Sequence, residues 1–261
     1  MKNFLITGAT SALGKQLCKM IAQNAGARLM MISRSHSNDL KELESDTVQY
    51  ISGVDLTTLR LNDNFSEIFD EFFTGPISLI HCAGDFWTHF SFLEVSVEKA
   101  NQIMNSHYLT LYATLQSVLP IMIKKKGGKV ATFSYNSMNE NFPNMLPFNA
   151  AKAAVEATTK CIAHEYAKYG IAANVLSLAS LKTEESKYSR PFGDYENYLD
   201  LEELCHSILD IVNTSNLITA SVIQCYKYSD SYYNQGYFER IKHPNRSWKM
   251  IDESHKADQS K

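Results

Sequence analysis

The sequence lacks the features of a disulfide-linked, metal-binding or secreted chain. Its five cysteines lie far apart, with no CxxC pair and no metal-ligand spacing, and we expect buried free thiols of a cytoplasmic protein at Cys18, Cys82, Cys161, Cys205 and Cys225. Met1 leads straight into an apolar segment without a charged leader or cleavage site, and no apolar run approaches the length of a membrane span. We therefore expect neither a secretion signal nor a membrane partner.

Neither sign of charge is in large excess. The formal net charge is −3 and the isoelectric point is near 6.2, which gives no electrostatic reason to expect nucleic acid as a partner. The three lysines at 124–126 are better explained as a solvated helix end. With 261 residues, 44% of them hydrophobic, the chain is long enough to bury one full-sized core. We expect a single domain, because the sequence shows no internal repeat and no linker.

Short apolar runs alternate with longer helical patterns, which is typical of βαβ units that build a parallel sheet. The predicted strands are residues 3–7, 28–32, 48–51, 77–81, 128–134, 171–177 and 217–225. The predicted helices are residues 12–25, 62–73, 96–120, 146–169 and 201–212. The pattern predicts an α/β fold with a doubly wound parallel sheet of about seven strands and helices on both faces.

The C-terminal part of the chain changes in composition. Residues 181–199 have mixed polarity with Pro191 and Gly193, which predicts an irregular loop. The predicted domain spans residues 1–225, and an aromatic extension spans residues 226–251. Such an extension packs on its own subunit or a sister subunit, or it closes over a substrate. The polar residues 252–261 are predicted to form a frayed tail.

A glycine-rich turn, TGATSALG at residues 7–14, lies between the first predicted strand and the first predicted helix. Glycines there let the backbone turn sharply and approach a pyrophosphate, while the helix N-terminus supplies free N–H donors. The turn resembles the TGxxxGxG motif of the short-chain dehydrogenase/reductase family, with Ala12 in place of the middle glycine. The resemblance implies a Rossmann-type fold and a dinucleotide held by Gly8, Thr10, Ser11, Leu13 and Gly14.

The end of the second strand indicates which dinucleotide is bound. An acidic side chain there would bind a ribose 2′-hydroxyl and repel a 2′-phosphate, but this chain has Ser33 and Arg34. A guanidinium group offers paired hydrogen bonds to phosphate, and Ser11 lies where family members often place another phosphate contact. We therefore expect NADP(H) rather than NAD(H) as the cofactor. The alternative is that Arg34 is an ordinary surface residue.

Further positions resemble the family at its usual spacing, over about residues 2–223. By this resemblance Asp55 and Leu56 hold the adenine, Asn105 is the catalytic asparagine, and Thr183 contacts the nicotinamide amide. Ala83 and Gly84 end the segment HCAG, which resembles the family's NNAG. The resemblance also implies that Lys152 serves both catalysis and cofactor binding, and we find no metal site.

The catalytic tyrosine expected from the resemblance is missing. Family chemistry uses a tyrosine to protonate the oxygen formed on hydride transfer, a lysine to lower the pKa of that tyrosine, and a serine to hold the carbonyl. Phe148 stands four residues before Lys152, in the place of the tyrosine, and Tyr135 stands in the place of the serine, next to Ser134. Residues 179–180 are Ala-Ser instead of the family's Pro-Gly. Loss of a general acid costs about 10²- to 10⁴-fold in rate, so turnover requires a relocated proton donor.

Tyr135 is the first candidate for that donor. It ends a central strand, and it resembles a tyrosine at similar spacing in enoyl-acyl-carrier-protein reductases of the superfamily, whose main active-site tyrosine corresponds to Met145 here. The alternative is that Tyr135 only fills the space left by a smaller family residue.

Other candidate residues have weaker support. Tyr188 and Tyr195 lie in the predicted loop, where a tyrosine is more often a packing or binding contact. His81 lies at the end of the fourth predicted strand, and His107 lies beside Asn105 on the helix. We expect both to be hydrogen-bonded structural residues. The aromatic residues at 86, 87, 90 and 92 either line a substrate cavity or form a local hydrophobic cluster.

Three functions fit these observations. The first is an NADPH-dependent oxidoreductase with a degenerate catalytic centre formed by Lys152, Asn105, Tyr135 and Ser134, which reduces a carbonyl or an activated double bond of a small molecule. The second is a catalytically inactive relative that binds NADP(H) and regulates a partner or forms a complex. The third is a non-redox lyase or isomerase. The retained cofactor turn, Arg34, Asn105 and Lys152 favour the first, whereas the combined loss of the tyrosine, the serine and the Pro-Gly pair favours the second. The family resemblance also implies a homodimer or homotetramer.

Overall fold

Seven parallel strands form one sheet in the computed structural model, which describes residues 1–61, 63–85, 90–135, 144–189, 195 and 198–226. The strands are β1 (Lys2–Thr7), β2 (Ala27–Ile32), β3 (Val48–Ile51), β4 (Ile77–His81), β5 (Gly128–Tyr135), β6 (Ile171–Leu178) and β7 (Val222–Cys225). Their order across the sheet is β3-β2-β1-β4-β5-β6-β7. The predicted α/β, Rossmann-type doubly wound fold is confirmed.

Eight α-helices connect the strands in the described part of the chain. They are α1 (Ala12–Ala22), α2 (Asn38–Lys41), α3 (Asp63–Phe72), α4 (Val97–Met104), α5 (Thr110–Lys124), α6 (Leu146–Glu165), α7 (Glu184–Ser189) and α8 (Leu201–Asn213). Short 3₁₀ turns occur at Leu56–Leu61, Phe92–Glu94 and Ala167–Tyr169, and a π turn at Asn105–Leu109 separates α4 from α5.

The sheet is covered on both faces because its side chains alternate in direction along each strand. Phe4 and Ile6 of β1 belong to a core formed with α1 and α8. Leu5, between them, belongs to a second core formed with α3, α5 and α6. Both faces of the central strands are therefore apolar, as expected for a parallel sheet between two layers of helices.

The strand order reverses between β1 and β4. From β1 the chain builds β2 and β3 on one side, then returns to place β4 on the other side of β1. Thr7, the last residue of β1, is in register with His81, the last residue of β4. In such sheets ligands bind in the crevice at the carboxyl ends of the strands where the order reverses. This edge of the sheet is therefore where a site is to be sought.

The predicted single helix over residues 96–120 is wrong in two respects. It is interrupted by the π turn Asn105–Leu109, and it continues past Pro120 to Lys124. Proline in a helix interior is unfavourable because it removes a hydrogen bond, but Ile121 and Met122, which follow it, are buried. Their burial against the sheet outweighs the unfavourable proline. The predicted helix over 146–169 also ends earlier, at Glu165.

Two elements near the C-terminal end also differ from the prediction. Residues 184–189, inside the predicted irregular loop, form α7. The last strand begins at Val222 rather than at 217. Ala220 has a positive φ of 55°, and the side chain of Asn174 donates to the Ile218 carbonyl and accepts from the Ser221 N–H. The Ala220 N–H still donates to the Ala173 carbonyl at 2.8 Å, but the regular pairing of β7 with β6 begins only at Val222. Beyond Tyr226, the aromatic extension and the tail lie outside the described residues.

Candidate active site

The glycine-rich turn packs closely against the end of β4. Gly8 has a φ of +70°, and a Cβ atom added there would lie 2.6 Å from the Cα atom of Ala83. A Cβ atom on Gly14 would lie 2.5 Å from the Gly8 carbonyl oxygen. Only glycine fits at these two positions, so the backbone itself lines the crevice. Leu13 is buried, and Thr10 is partly buried.

Helix α1 begins at this turn. Ser11 is its N-cap residue, and its Oγ atom accepts a hydrogen bond from the Gly14 N–H at 3.0 Å. The first turn contains no acidic side chain, so nothing there opposes the positive end of the helix dipole. Ala12, in place of the motif's middle glycine, is exposed and its methyl group does not narrow the turn. These features fit a pyrophosphate at the helix N-terminus.

The residues predicted to bind the adenosine half of the cofactor have different surroundings. Ser33 is buried, and its hydroxyl group is hydrogen-bonded to Tyr50 Oη at 2.8 Å and donates to the Ser35 carbonyl at 2.6 Å. The side chain of Arg34 is 76% exposed and lies 3.8 Å from the Asp85 carboxylate. Of the two, Arg34 has the exposed group that can reach a ligand.

Asp55 and Leu56 follow β3 at the same edge of the sheet. Leu56 is buried in the core, whereas Asp55 is exposed. The Asp55 carboxylate accepts hydrogen bonds from the N–H and the hydroxyl of Thr57, at 2.9 and 2.7 Å. These bonds, with a smaller contribution from the Arg34 charge, hold the pKa of Asp55 below its usual value. The carboxylate is therefore ionised and caps the 3₁₀ turn that follows.

A buried hydrogen-bond chain connects β1 to the π turn through His81. The Thr110 hydroxyl donates to the Ser106 carbonyl at 2.8 Å, so its oxygen accepts from Nε2–H of His81 at 3.3 Å. Nδ1 of His81 then accepts from the Thr7 hydroxyl at 2.7 Å. Burial, with the nearby charge of Lys152, lowers the pKa of His81 to about 3. His81 is therefore a neutral structural residue, as the sequence predicted.

The predicted catalytic residues Lys152 and Tyr135 meet at the ring of Phe148. Nζ of Lys152 lies 5.4 Å from the centroid of the Phe148 ring, within range of a cation–π interaction. The rings of Tyr135 and Phe148 have centroids 5.1 Å apart. The Tyr135 hydroxyl donates to Oδ1 of Asn149, and Nζ of Lys152 donates to the Phe133 carbonyl at 2.9 Å.

The environment of Lys152 favours easier loss of its proton. Burial lowers the pKa of Lys152 to about 8, because desolvation disfavours the charged form. No carboxylate in the described residues forms an ion pair with Lys152 within 4.0 Å. The ammonium group is therefore the charged group next to Phe148, and its ionisation changes slightly above neutral pH.

The other predicted site residues are Ser134, Thr183 and Asn105. Ser134 is buried within β5. Thr183 is partly buried, and its hydroxyl accepts from the Ser186 N–H at 3.0 Å in the first turn of α7. Asn105 begins the π turn and is exposed. Within the described residues no hydrogen bond joins the side chain of Asn105 to Lys152 or Tyr135, so its catalytic role stays a prediction.

His107 was expected to be a hydrogen-bonded structural residue, but the sequence did not indicate its contact with Phe148. It is buried in the π turn, two residues after Asn105, and Nε2–H donates to the Asp85 carbonyl at 3.0 Å. Its ring meets the ring of Phe148 edge-on, with centroids 5.2 Å apart and planes at 87°. Burial and then the Lys152 charge hold the pKa of His107 well below its usual value. A five-residue π turn in place of a regular helix gives no distinctive sequence pattern, so its position was not foreseen.

His107 also explains the glycine at position 84. Gly84 has a φ of +153°, and a Cβ atom added there would overlap the His107 imidazole ring. Nδ1 of His107 is buried against this glycine and has no hydrogen-bond partner among the described residues. The imidazole therefore packs between Gly84, which follows β4, and Phe148 on α6.

Other residues considered from the sequence lie at the rim of this region. Met145 is buried at the start of α6. Tyr188 is 81% exposed, and the Tyr195 ring lies 5.3 Å from Nζ of Lys182. Phe90 and Phe92 are exposed, whereas the aromatic residues at 86 and 87 lie outside the described part of the chain, as does most of the segment 190–197.

The structure also tests the predictions about cysteines, metal ligands and membrane spans. All five cysteines are free, but only Cys18 and Cys205 are buried; Cys82 and Cys225 are partly buried and Cys161 is exposed, so the prediction of buried thiols is wrong at Cys161 and holds only in part at Cys82 and Cys225. Cys161 lies on α6. Within the described ranges no group of three potential metal ligands comes together, and no described helix is both long and apolar enough to cross a membrane.

Comparisons with known proteins agree with this geometry. Dehydrogenase/reductase SDR family member 7B of Xenopus tropicalis is 28% identical over 209 residues, which are 74% of this chain and 65% of that protein. The chain thus spans less than two thirds of that relative. A tyrosine-to-phenylalanine variant of ElxO with NADPH bound matches with a TM-score of 0.73 and 23% identity, over 85% of this chain and 96% of that one.

A second solved structure has the same fold. The 3-ketoacyl-(acyl-carrier-protein) reductase of Brucella melitensis, complexed with NADH, matches with a TM-score of 0.75 and 19% identity, over 87% of this chain and 97% of that one. At these identities the two structures show a shared fold. The model of the short chain dehydrogenase family matches residues 2–192, most of the chain. Together with the seven-stranded parallel sheet and the glycine turn, this match shows that the protein belongs to the short-chain dehydrogenase family.

Proposed function

We propose that the protein is an NADPH-dependent oxidoreductase that reduces a carbonyl or an activated double bond of a small molecule, with Lys152 and Tyr135 as its catalytic residues. The observation that carries this proposal is the contact of both side chains with the ring of Phe148, at distances of 5.4 and 5.1 Å. Phe148 itself has no hydroxyl group and cannot transfer a proton. Tyr135 is the adjacent residue with a hydroxyl group that can.

The proposed cofactor rests on two features of the crevice. The backbone of Gly8 and Gly14 and the N-terminus of α1 fit a pyrophosphate, and the exposed Arg34 offers a cation for a 2′-phosphate. When bound, a reduced nicotinamide supplies the hydride. Solved structures of this fold hold NADPH in one case and NADH in another, so the preference for NADPH is argued from Arg34 alone.

The chain's own residues would complete the reduction as follows. The Tyr135 hydroxyl donates its proton to the oxygen, or to the carbanionic carbon, that becomes negative when hydride arrives. Asn149, whose Oδ1 atom accepts from this hydroxyl, holds the phenol in place. Lys152 remains cationic below a pH of about 8 and stabilises the negative charge that develops. A substrate that gives a stabilised enolate requires less from the acid than a simple ketone does.

A second candidate function is a catalytically inactive NADP(H)-binding protein that regulates a partner. The observation that favours it is that the Tyr135 hydroxyl already donates to Asn149, so that proton is engaged within the protein. In this alternative the crevice binds the cofactor but no hydride is transferred.

The experiment that separates the two begins with fluorescence titrations of NADPH and NADH against protein stripped of ligand. A panel of ketones, aldehydes and enones is then tested for oxidation of NADPH. Tyr135→Phe is expected to lower kcat by about 10²- to 10⁴-fold and to leave the Kd of NADPH unchanged. The matched control is Tyr169→Phe, which removes a hydroxyl before β6, at the opposite edge of the sheet. Full activity of Tyr135→Phe would refute the relocated donor, and binding without turnover on any substrate would favour the alternative.

We also propose that the protein forms a homodimer or homotetramer. Three apolar or aromatic side chains on the helical segments that lead into and form α5 and α6 are exposed, namely Leu109, Tyr112 and Leu146. Burial of such side chains against a second copy would remove apolar surface from water. Sedimentation velocity measures the assembly, and a monomer at micromolar concentration would contradict this proposal.

A further inference from the structure

Arg34, the residue proposed to bind the 2′-phosphate, forms an ion pair with Asp85. We infer that the Asp85 carboxylate holds Arg34 across the cofactor crevice in the free protein, competes with the 2′-phosphate for the guanidinium group, and so weakens the preference for NADPH. This inference rests on the proposed function for the location of the cofactor, and it assigns to Asp85 a role in specificity that the sequence did not suggest.

The first argument is the position of the ion pair in the sheet. Arg34 follows β2 and Asp85 follows β4, and these strands lie on either side of β1. A contact between Nη2 of Arg34 and Oδ1 of Asp85, at 3.8 Å, therefore passes over the carboxyl end of β1. The glycine turn begins at that end. The Arg34 side chain thus lies across the crevice in which a dinucleotide of this fold is bound.

The second argument is that hydrogen bonds anchor the main chain of Asp85, whereas the side chain of Arg34 is exposed. The Asp85 N–H donates to Oγ of Ser106 at 3.3 Å, and the Asp85 carbonyl accepts from Nε2–H of His107 at 3.0 Å. Both partners belong to the π turn. The side chain of Arg34 is 76% exposed, and that of Asp85 is 47% exposed. The main chain of Asp85 is therefore anchored to the π turn, whereas most of the Arg34 side chain is exposed to solvent.

The third argument is the balance of charge around Arg34. The Asp55 carboxylate is also near enough for the Arg34 charge to act on it. Arg34 therefore has an ion pair with Asp85 and a weaker, longer-range attraction to Asp55. A phosphate that approaches must replace the contact with Asp85 and then remain near its negative charge. NADH carries a hydroxyl group at the same place, so neither opposing effect applies to it.

The expected effect of Asp85 on the Kd of a 2′-phosphorylated nucleotide is modest. An exposed ion pair contributes at most about a factor of 5 to an equilibrium, and relief of the charge repulsion adds to this. Asp85→Asn keeps both main-chain hydrogen bonds and removes only the charge. It is expected to lower the Kd of a 2′-phosphorylated nucleotide by about 3- to 10-fold and to leave the Kd of the unphosphorylated nucleotide within about twofold.

The test uses half-cofactors, so that nucleotide binding is measured without turnover. Adenosine 2′,5′-bisphosphate and adenosine 5′-monophosphate, which differ only in the 2′-phosphate, are titrated by calorimetry into wild type, Asp85→Asn and Arg34→Gln. The matched control is Asp46→Asn, which removes an equal charge from an exposed position before β3, at the opposite edge of the sheet. Arg34→Gln is expected to abolish the preference for the bisphosphate. The effect of Asp85→Asn is expected to shrink as salt is added.

Three results would overturn the inference. The first is an unchanged Kd of the bisphosphate in Asp85→Asn, which would mean that the pair does not compete with phosphate. The second is weaker binding of both nucleotides, which would make Asp85 a direct ligand of the cofactor. The third is no binding of either nucleotide to wild type or to Asp85→Asn. If the protein is not a reductase, the result differs from all three. The nucleotide affinities would then be as predicted, but no substrate would be turned over.

Discussion

Acid is expected to destabilise the protein in part through the buried side chain of His81, one of two buried histidines whose pKa lies below its usual value. The hydrogen-bond chain from Thr7 through His81 to Thr110 uses Nδ1 of His81 as an acceptor, so protonation of the imidazole breaks it. The pKa of His81 falls from 6.5 in the unfolded chain to about 3 in the folded protein. Between these values the unfolded state binds the extra proton, so the free energy of unfolding decreases as the pH is lowered.

The size of this effect follows from the two pKa values. Each pH unit below 6.5 removes about 1.4 kcal/mol from the free energy of unfolding. This single group therefore accounts for a loss of about 2 kcal/mol between pH 7 and pH 5. The loss continues until the pH reaches the folded pKa of about 3, below which His81 is protonated in both states.

The assay is urea unfolding at pH 7 and at pH 5, with wild type compared with His81→Asn. Asparagine keeps an amide donor and acceptor but does not titrate. The decrease in the free energy of unfolding from pH 7 to pH 5 is expected to be smaller in the variant by about 2 kcal/mol. His206→Asn, at an exposed position on α8, serves as the control and is expected to behave like wild type. Equal decreases in wild type and His81→Asn would refute the claim that His81 is buried in its neutral form.

Three other consequences of the structure can be measured. Gly84→Ala is expected to lower the free energy of unfolding by roughly 1–3 kcal/mol, because the new Cβ atom would overlap a buried imidazole ring. Gly53→Ala, with open space around it, is the control, and equal losses in urea unfolding would contradict the argument. Reductase activity is expected to fall as the pH rises through about 8, where Lys152 loses its proton; a pH profile of kcat/KM that stays flat to pH 10 would exclude this. Ser11→Ala is expected to lose about 1 kcal/mol of stability with its helix cap, whereas Ser37→Ala, whose hydroxyl makes no cap bond, is not.

The sheet was predictable because its strands are short, apolar and bounded by turn residues. The predicted bounds of β1, β2, β3 and β4 fall within one residue of those observed, and β3 and β4 agree at both ends. β7 was predicted five residues too long at its start. Residues 217–220 were taken for part of the strand, but the side chain of Asn174 binds the Ile218 carbonyl and the Ser221 N–H, and Ala220 has a positive φ. A long-range contact of this kind leaves no local pattern.

The candidate site was predictable to the extent that it depends on the ends of strands and on helix spacing. Lys152 and Tyr135 both contact the ring of Phe148, because α6 packs beside β5, and their catalytic roles stay predictions. The π turn is the part that the sequence did not indicate. It gives a buried position to His107 and an exposed one to Asn105, although a helix of regular period was expected there. The structure also showed that Arg34 has a partner, Asp85, which lies 51 residues later in the chain and has no sequence signal.

The position of Phe148 indicates why a site without its hydroxyl group can still be ordered. Its ring contacts three groups through carbon atoms alone: the ammonium of Lys152, the edge of His107 and the ring of Tyr135. A cation over an aromatic face and an edge-on aromatic pair are each favourable without any hydroxyl. Phe148 therefore fixes the geometry of the site, and under the proposed function the proton transfer falls to its neighbours. Phe148→Tyr alone would add a second hydroxyl beside Lys152 without removing Tyr135, so a gain in activity that survives Tyr135→Phe would locate the acid at position 148 instead.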